Sequence, residues 1–484
     1  MNLLIRDGRI VDITPANRSF EGLYPSAEVI DASDHLIIPG FVNAHLHPES
    51  VLLHPLTDSK AFSSWRMLTH FQEASKALAE TVSTGEIEDL YRGATLAMLA
   101  AGATTVGVQP LPYAGDGLLA LRASLHDMGI RSNTTLQTWE QITALRDLPA
   151  KEHSFAIGLG DVEAYTVYSF ENLVRTSREM RCPLSAHIAE IRDETELLMR
   201  RFKKSPMHVL REAGILSGEL QLVHCNHLPC GDLELVREAG GTIILCPGST
   251  AAKRTGYPLL RCLAKSDVRL CVGTDWGSVD MLEEIRFLHR LPRLFAGIPA
   301  FSPLELLRMA TINGAHALGL SDQTGSLEVG KKADLLMFSL NAPQIPVVQA
   351  SWPPESLAGV LVGHVNTACL THVMVDGSLR IQDRAFRGDG AGILRRFRKL
   401  QSRYVDAGQR REAPLLPDRP DLGVLLNAPA KSPIPDFLAP EMPEPENGER
   451  SSNLSHPLPH EEAPTDRPQQ TPKKVHKIFG ENDL

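Results

Sequence analysis

One apolar stretch of the chain ends in two histidines and reads Leu36-Ile37-Ile38-Pro39-Gly40-Phe41-Val42-Asn43-Ala44-His45-Leu46-His47-Pro48. The pattern predicts a buried β-strand over 36–44. Because side chains alternate along a strand, His45 and His47 are expected to point the same way. Two neutral imidazoles at a strand end supply half of the ligands of a divalent metal site. We therefore expect further ligands at the ends of later strands.

The composition narrows the class of protein. The chain has 484 residues, 43% of them hydrophobic, with a formal net charge of −9 and a pI near 6.1. This length predicts one large domain or two moderate ones, and the acidic balance argues against general nucleic-acid binding. No apolar run reaches about 18 residues, so no membrane span is predicted. The first residues lack the pattern of a signal peptide.

The seven cysteines are an odd number, scattered along the chain. This usage predicts reduced thiols and a cytoplasmic location rather than a disulfide framework. Three of them lie in apolar, strand-like runs, which predicts small core residues. These three are Cys225, Cys246 and Cys271.

Strand-like and helix-like patterns alternate through the middle of the chain. Eight β/α units over roughly 280 residues are typical of a TIM (β/α)8 barrel. The alternative is a doubly wound open sheet, which is disfavoured because no Gly-x-Gly-x-x-Gly turn follows an early strand. The predicted strands are 36–44, 104–109, 130–137, 155–160, 183–188, 220–225, 242–246 and 268–274. The predicted helices are 86–101, 116–128, 171–181, 203–213, 232–239, 257–265, 281–293 and 303–318.

Short β-like runs precede this region and others follow it. The first ones are too few to fold alone, so they need partner strands from beyond residue 325. The end of the chain carries 14 of the 34 prolines and little apolar surface, which predicts disorder. We therefore predict a small β-sandwich from 1–35 and 325–385, a barrel over 36–324, a helix over 386–411 and a disordered tail over 412–484.

Polar side chains recur at the ends of the predicted strands. The C-terminal strand ends of a TIM barrel meet at one mouth, which is where the chemistry takes place. Four histidines and an aspartate at that mouth predict a catalytic metal site with an open position for water. Strand 1 supplies His45 and His47, strand 5 His187, strand 6 His224 and strand 8 Asp275.

This pattern resembles the amidohydrolase superfamily over roughly residues 1–385. The binuclear branches of that superfamily use a carboxylated lysine at the end of strand 4, whereas 155–161 contains no lysine, so the resemblance implies a single metal ion. The His-x-x-Glu spacing of His187 and Glu190 is similar to that of the cytosine, guanine, adenosine-type and triazine deaminases. The matching segments are Pro39 to His47, His187-Ile188-Ala189-Glu190, His224, Gly273-Thr274-Asp275 and Gly325 to Asp334.

The resemblance implies a metal ligand set. One divalent ion, Zn²⁺ with Fe²⁺ left open, lowers the pKa of its water towards about 7. Asp275 is expected to bind the ion and also to accept the proton of that water. The expected ligands are His45, His47, His187 and Asp275.

The resemblance also implies roles around the ion. Glu190 is expected to protonate a ring nitrogen of the substrate, and His224 to hydrogen-bond the attacked centre. Trp65 and Trp276 are expected to contact a flat substrate, although each also fits simple hydrophobic packing. The implied reaction is hydrolytic deamination of an amino-substituted heterocycle, either a nucleoside or a base, with release of ammonia.

Three departures from the family pattern leave the substrate open. The segment 162–169 lacks an expected histidine, 246–250 differs from Cys-Pro-x-Ser-Asn, and Ile191 stands where threonine is usual. Adenosine-type nucleosides, aminofutalosine, guanine-type bases and triazines all remain candidates. A rival function is hydrolysis of a cyclic amide, an N-acyl group or a C–Cl bond. A non-catalytic scaffold is disfavoured because every expected ligand is present, and a homo-oligomer is implied by the resemblance alone.

Overall fold

The computed structural model describes most of the chain up to residue 412. The tail predicted for the residues that follow, and the predicted substrate contact Trp65, lie outside the described residues. The described ranges are 1–18, 20, 22–52, 82–110, 115–138, 141–142, 153–161, 167–253, 255–256, 259–294, 301–349 and 351–412.

The strands fall into three groups along the described chain. They are β1 (Asn2–Arg6), β2 (Arg9–Thr14), β3 (His35–Pro39), β4 (Phe41–Leu46), β5 (Ala103–Val108), β6 (Arg131–Leu136), β7 (His153–Asp161), β8 (Leu184–Ile188), β9 (Gln221–His224), β10 (Thr242–Leu245), β11 (Arg269–Val272), β12 (Leu335–Ser339), β13 (Leu370–Val375), β14 (Ser378–Gln382) and β15 (Ala385–Phe386).

The helices lie mainly between the strands of the middle group. They are α1 (Thr84–Ala100), α2 (Gly115–Asp127), α3 (Val167–Met180), α4 (Arg192–Phe202), α5 (Pro206–Glu212), α6 (Asp232–Glu238), α7 (Pro247–Lys253), α8 (Leu260–Leu263), α9 (Met281–Arg290), α10 (Pro303–Met309), α11 (Ile312–Ala317), α12 (Pro354–His364) and α13 (Gly390–Glu412), with short 3₁₀ turns at Leu291–Leu294 and Thr367–Cys369. Among the described residues, none of these helices combines the length and apolar character that crossing a membrane requires.

The middle strands form one parallel sheet of eight strands, β4 to β11, in sequence order. Each strand pairs in parallel with the next one along the chain. The first and last strands approach each other through a parallel bridge between Leu46 and Asp275, so the sheet is nearly closed. The predicted (β/α)8 barrel is confirmed, and the open-sheet alternative is wrong.

The strand predicted over 36–44 is in fact two strands that meet at Gly40. β3 pairs antiparallel with β12, whereas β4 enters the barrel beside β5. A Cβ at Gly40 would overlap the side chain of Thr104, so only glycine allows the close approach at this junction. The apolar run is continuous across the junction, although β3 is only partly buried and β4 is fully buried. This continuity hid the break from sequence analysis.

The antiparallel strands draw on both ends of the described chain. β3 lies at one edge of a five-stranded sheet whose order is β15-β14-β13-β12-β3. β1 and β2 form a separate two-stranded sheet, which hydrogen-bonds to the segment before β12 through Ile10 and Lys331 at 2.9 Å. Strands from both ends therefore share one region, while the exact division into domains stays a prediction.

An ion cluster joins the start of β6 to the antiparallel sheet, and we call Arg131, Asp334 and Asp376 the bottom cluster. The guanidinium of Arg131 bonds both carboxylates, with Nη2 2.8 Å from Asp376 Oδ1. Asp334 also accepts hydrogen bonds from Thr324 Oγ1 at 2.6 Å and from the backbone N–H of Asp376 at 2.8 Å. The cluster lies at the N-terminal end of a barrel strand, the end opposite to the mouth.

The cysteines divide into two kinds. Cys225, Cys246 and Cys271 are buried free thiols, as predicted, and burial raises the pKa of each one. The prediction that all seven cysteines are reduced is wrong for Cys230 and Cys262, which form a disulfide with a Cα–Cα distance of 5.8 Å. Cys230 precedes α6 and Cys262 lies in α8, so two successive β/α units bring them together.

Candidate active site

Five of the six side chains predicted as ligands or catalytic groups lie at the C-terminal ends of barrel strands. His45 lies within β4 and His47 directly follows it, while His187 lies in β8. His224 is the last residue of β9, and Asp275 comes three residues after β11. All five are buried or nearly buried, so the barrel collects them in one low-dielectric place.

Four of these side chains form a compact ligand set. One ligand atom from each of His45, His47, His187 and Asp275 lies within 4.8 Å of the others. The Nε2 atoms of His45 and His187 are 3.1 Å apart. Asp275 Oδ1 lies 3.1 Å from His47 Nε2 and 3.4 Å from His45 Nε2. Three imidazoles and one carboxylate therefore converge on a common point.

The hydrogen bonding of His47 shows why a cation fits at this point. His47 Nδ1 lies 2.8 Å from the carbonyl oxygen of Gln109, which can only accept, so Nδ1 donates. In a neutral imidazole the proton on Nδ1 leaves Nε2 with a lone pair, and that lone pair faces Asp275 Oδ1. A second bond that fixes the tautomer is the usual arrangement around a metal-bound histidine. The donor set of three histidines and an aspartate suits a divalent ion such as zinc.

The protonation states agree with a metal site. Burial lowers the pKa of His45 to about 4, and the nearby His47 imidazole adds to the effect. Burial likewise lowers the pKa of His187 well below its ordinary value. Burial acts to raise the pKa of Asp275, but the charge of Lys253 and the contacts with His45 and His47 offset it, and the pKa lies well below its ordinary value. At neutral pH, His45 and His187 are therefore neutral and Asp275 is ionised.

Glu190 and His224 lie beside this ligand set. Their closest side-chain atoms, Glu190 Oε2 and His224 Nε2, are 3.5 Å apart. With Asp275 they form a second group whose ligand-type atoms lie within 4.8 Å of one another. Burial acts to raise the pKa of Glu190, yet the nearby His224 and Lys253 lower it below its ordinary value. An acid–base group therefore stands next to the predicted metal position.

Lys253 is a buried residue of this site that sequence analysis missed. Its Nζ lies 2.8 Å from Glu190 Oε1 and 2.6 Å from Asp275 Oδ2. Burial alone would lower its pKa, but these two carboxylates more than offset that, so the pKa is raised. We call Glu190, Lys253 and Asp275 the mouth cluster.

Lys253 reaches the site from α7, a helix that sequence analysis did not predict. Proline at the first helical position favours a helix start at Pro247, and Ser249 and Lys253 are four residues apart on one helix face. Ser249 Oγ donates to Asp275 Oδ2 at 2.5 Å. The signal in the sequence was therefore a proline followed by two polar residues with helical spacing.

Several non-glycine residues at the mouth have left-handed backbone conformations. The φ angles are 50° at Ala189, 72° at His224, 59° at Cys225 and 49° at Asp275. This conformation costs roughly 1–2 kcal/mol for a residue with a Cβ and is stable only when the surroundings enforce it. Each of these residues lies at or just beyond the end of a barrel strand, where the chain turns into the loops of the mouth.

Trp276 packs directly on the ligand set. Its ring lies 4.5 Å from the His47 ring, centroid to centroid, with an interplanar angle of 15°. One face of the indole therefore covers a predicted metal ligand. Contact of Trp276 with a substrate stays a prediction.

An eight-stranded parallel barrel with a His₃Asp ligand set at its C-terminal mouth defines a metal-dependent hydrolase. The model of the amidohydrolase family matches residues 36–380. The chain belongs to the amidohydrolase family, which confirms the resemblance seen in the sequence.

Three relatives illustrate the similarity. The chain is 28% identical over 429 residues to the 5-methylthioadenosine/S-adenosylhomocysteine deaminase of Desulforudis audaxviator, covering 84% of this chain and 95% of that protein. An adenosine deaminase from Xanthomonas campestris with bound zinc has a TM-score of 0.69 at 23% identity, with 84% and 93% coverage. An atrazine chlorohydrolase from Arthrobacter aurescens complexed with zinc has a TM-score of 0.73 at 20% identity, with 82% and 94% coverage. These two solved structures support the fold.

Proposed function

We propose that this amidohydrolase is a hydrolytic deaminase of an amino-substituted heterocycle, either a nucleoside or a base, and that it releases ammonia. The observation that carries the proposal is the position of Glu190, whose Oε2 lies 3.5 Å from His224 Nε2 beside the ligand set. Deamination needs a group that gives a proton to a ring nitrogen while water attacks the neighbouring carbon. The deaminase name of the relative from Desulforudis audaxviator also supports this reaction.

In this proposal four side chains hold a divalent ion, and one of them, Asp275, also accepts a proton. His45, His47, His187 and Asp275 would hold this ion, and it would supply a water with a lowered pKa. Asp275 takes the proton of that water, since its carboxylate is ionised and already directed at the ligand set.

The protons and the developing charge are handled by two further residues. Glu190, whose carboxylate is also ionised, takes the other proton of the water and passes it to the ring nitrogen next to the attacked carbon, so that negative charge does not build up there. His224 donates a hydrogen bond to the oxygen that replaces the amine. The amine takes the proton held by Asp275 and leaves as ammonia, and a ring carbonyl remains.

The substrate screen is the first test. Zinc-loaded and iron-loaded protein is incubated with adenosine-type nucleosides, guanine-type bases, pyrimidines and triazines, and ammonia is measured. We expect release of ammonia from one of these classes. Chloride release from a chlorotriazine without ammonia, or hydrolysis of a cyclic amide or N-acyl compound alone, would replace the proposal with the rival hydrolase reaction.

The Glu190→Gln variant tests the proton transfer. We expect bound metal to stay at the wild-type level and turnover to fall by roughly 10²–10⁴-fold, the usual contribution of a positioned acid–base group. Glu219→Gln, at an exposed position before β9, is the matched control and should keep full turnover. Near-normal turnover in the Glu190 variant would remove this residue from the chemistry.

The double variant His45→Ala/His47→Ala tests the ligand assignment. Because it removes two of four predicted ligands, the purified protein should carry little metal and show little activity. Plasma emission measures the bound metal, and ammonia release measures the activity. Full metal content in the double variant would show that the ion binds elsewhere.

A further inference from the structure

A buried lysine stands between the two carboxylates to which the proposed deamination gives a proton-transfer role. The side chain of Lys253 is only 12% exposed, that of Glu190 17% and that of Asp275 0%. Two buried carboxylates repel each other, and each is costly to bury without a partner. One ammonium group that contacts both offsets the repulsion and the burial cost together.

The contacts divide the oxygens of each carboxylate into two sets. Asp275 directs Oδ2 to Lys253 and Oδ1 to the imidazoles of the ligand set. Glu190 directs Oε1 to Lys253 and Oε2 to His224. A single ammonium group therefore fixes the rotation of both side chains and leaves one oxygen of each for the reaction.

The helix that carries Lys253 is held firmly at its start. Glu284, with 1% exposure, accepts a hydrogen bond from the backbone N–H of Gly248 at 2.7 Å. Ser249 bonds Asp275 from the same face of the helix as Lys253. The ammonium group is thus placed by α7 as a rigid element rather than by a loop.

A second contact joins the loop of Glu190 to the same helix. Asn226, which follows β9, donates from Nδ2 to the backbone carbonyl of Glu190 and to Thr250 Oγ1, each at 3.3 Å. The loops after β8 and β9 are therefore bonded to α7, and the spacing between Glu190 and Lys253 is fixed from both sides.

We propose that Lys253 is a positioning residue for the proposed deamination. Its ammonium group holds Glu190 and Asp275 side by side, with Glu190 Oε2 and Asp275 Oδ1 presented to the reacting atoms. The inference rests on the proposed function, because it assigns Lys253 to the proton transfers of that reaction.

The kinetic test uses three variants. Lys253→Met keeps the length and removes the charge, Lys253→Arg keeps the charge, and Lys204→Met removes an exposed lysine whose Nζ lies 2.6 Å from Glu212 Oε1. We expect Lys253→Met to bind metal normally and to lose about 10²-fold in kcat with little change in KM, since small misplacement of catalytic groups has an effect of this order. Lys253→Arg should recover part of the loss, and Lys204→Met should match the wild type.

A second arm does not depend on activity. In a crystal structure of zinc-loaded Lys253→Met, we expect Glu190 to turn away from Asp275, so that its Oε2 no longer lies within contact of His224. Lys253→Ala with added ethylammonium should regain kcat relative to the same variant without the amine. If Lys253→Met does not fold, the Ala and Arg variants carry the same comparison.

The outcomes separate the inference from the proposed function. Wild-type kcat in Lys253→Met, together with loss of turnover in Glu190→Gln, would overturn the positioning role and leave the deaminase standing. A loss of kcat/KM in Lys253→Met that comes only from a higher KM would also overturn it, because it would make Lys253 a substrate-binding group. If no tested compound releases ammonia, the deaminase fails, and an unmoved Glu190 in the crystal structure would then refute the positioning role separately.

Discussion

The bottom cluster and the mouth cluster share one plan, a cation between two carboxylates, but differ in how fully their polar atoms are bonded. Asp334 in the bottom cluster accepts bonds from a guanidinium, a hydroxyl and a backbone N–H. In the mouth cluster, Asp275 Oδ1 accepts no hydrogen bond from the described residues. The nearby His224 Nδ1 also has no hydrogen-bond partner among them. Buried polar atoms are normally satisfied, and a bound cation or substrate at the mouth would satisfy these two.

The two clusters also differ in the residue that supplies the cation, arginine in the bottom cluster and lysine in the mouth cluster. Arginine offers a planar fork that bonds two carboxylates in a fixed geometry, which suits a permanent connection between a barrel strand and a sheet. Lysine is a compact point charge that contacts both carboxylates and leaves their second oxygens free to act. The comparison predicts that changes at the mouth alter turnover, whereas changes at the bottom alter stability.

The largest effect is expected at the mouth, for Asp275→Asn. The amide cannot accept the proton of water and is a poor metal ligand, so turnover should fall by about 10⁴-fold, the upper range for an acid–base group. Ammonia release and metal content are the measurements. Turnover within tenfold of the wild type would contradict the prediction that changes at the mouth cluster alter turnover.

The bottom cluster should respond in stability. Arg131→Met leaves the buried Asp334 without its cation, which we expect to lower the free energy of unfolding by about 3 kcal/mol. Urea unfolding measures this change, and turnover per folded molecule should be unaltered. Arg175→Met, at an exposed pair with Glu179, is the control and should stay within about 0.5 kcal/mol. A large loss of turnover in Arg131→Met would show that the two ends of the barrel are coupled.

A substitution in α7 should moderately lower both turnover and the free energy of unfolding. In Gly248→Ala the new Cβ overlaps Glu284 Oε1, so either the Glu284 carboxyl group or the start of the helix must shift. We expect a loss of about 1–3 kcal/mol in stability, as for other overpacked sites, and lower kcat because Lys253 moves with the helix. Gly359→Ala, in α12 with open space around its Cβ, should instead be neutral or stabilising. Unchanged kcat in Gly248→Ala would show that the position of α7 does not affect the reaction.

The smallest effect is expected at a surface ion pair between α1 and α13. A hydrogen bond from Arg403, helped by bonds from Ser83, lowers the pKa of Glu86 from 4.5 to about 2. Because the folded-state pKa is depressed, the contribution to stability is present above pH 4.5 and is lost as the pH falls towards 2. Glu86→Gln should therefore cost up to about 1 kcal/mol at pH 7 and less at pH 3.5, measured by urea unfolding. A cost that grows on acidification would contradict the assigned ion pair.

The sequence predicted the parts of the molecule that depend on local pattern. Strand alternation and polar strand ends were enough to predict the barrel and to bring His45, His47, His187 and Asp275 together. Gly40 was not read as a break, because the apolar run continues through it and the close approach of Thr104 exists only in the folded chain.

The missed features depend on contacts between distant segments. α7 has only seven residues, too few for a clear helical period, so Lys253 was not assigned to the site. Cys230 and Cys262 are 32 residues apart, and their pairing follows from the packing of neighbouring β/α units rather than from any local signal. Trp65 lies outside the described residues, so its role stays a prediction.

The place where the first and last barrel strands, β4 and β11, approach each other has a consequence for how such proteins diversify. The backbone carbonyl of His45 accepts bonds from the N–H groups of Thr274 and Asp275, each at 2.9 Å, so main-chain atoms set the spacing of two ligands. Surrounding side chains can then be exchanged over generations without disturbing the ion's coordination. A lineage could thus acquire new substrates by altering its loops while its chemistry is inherited unchanged.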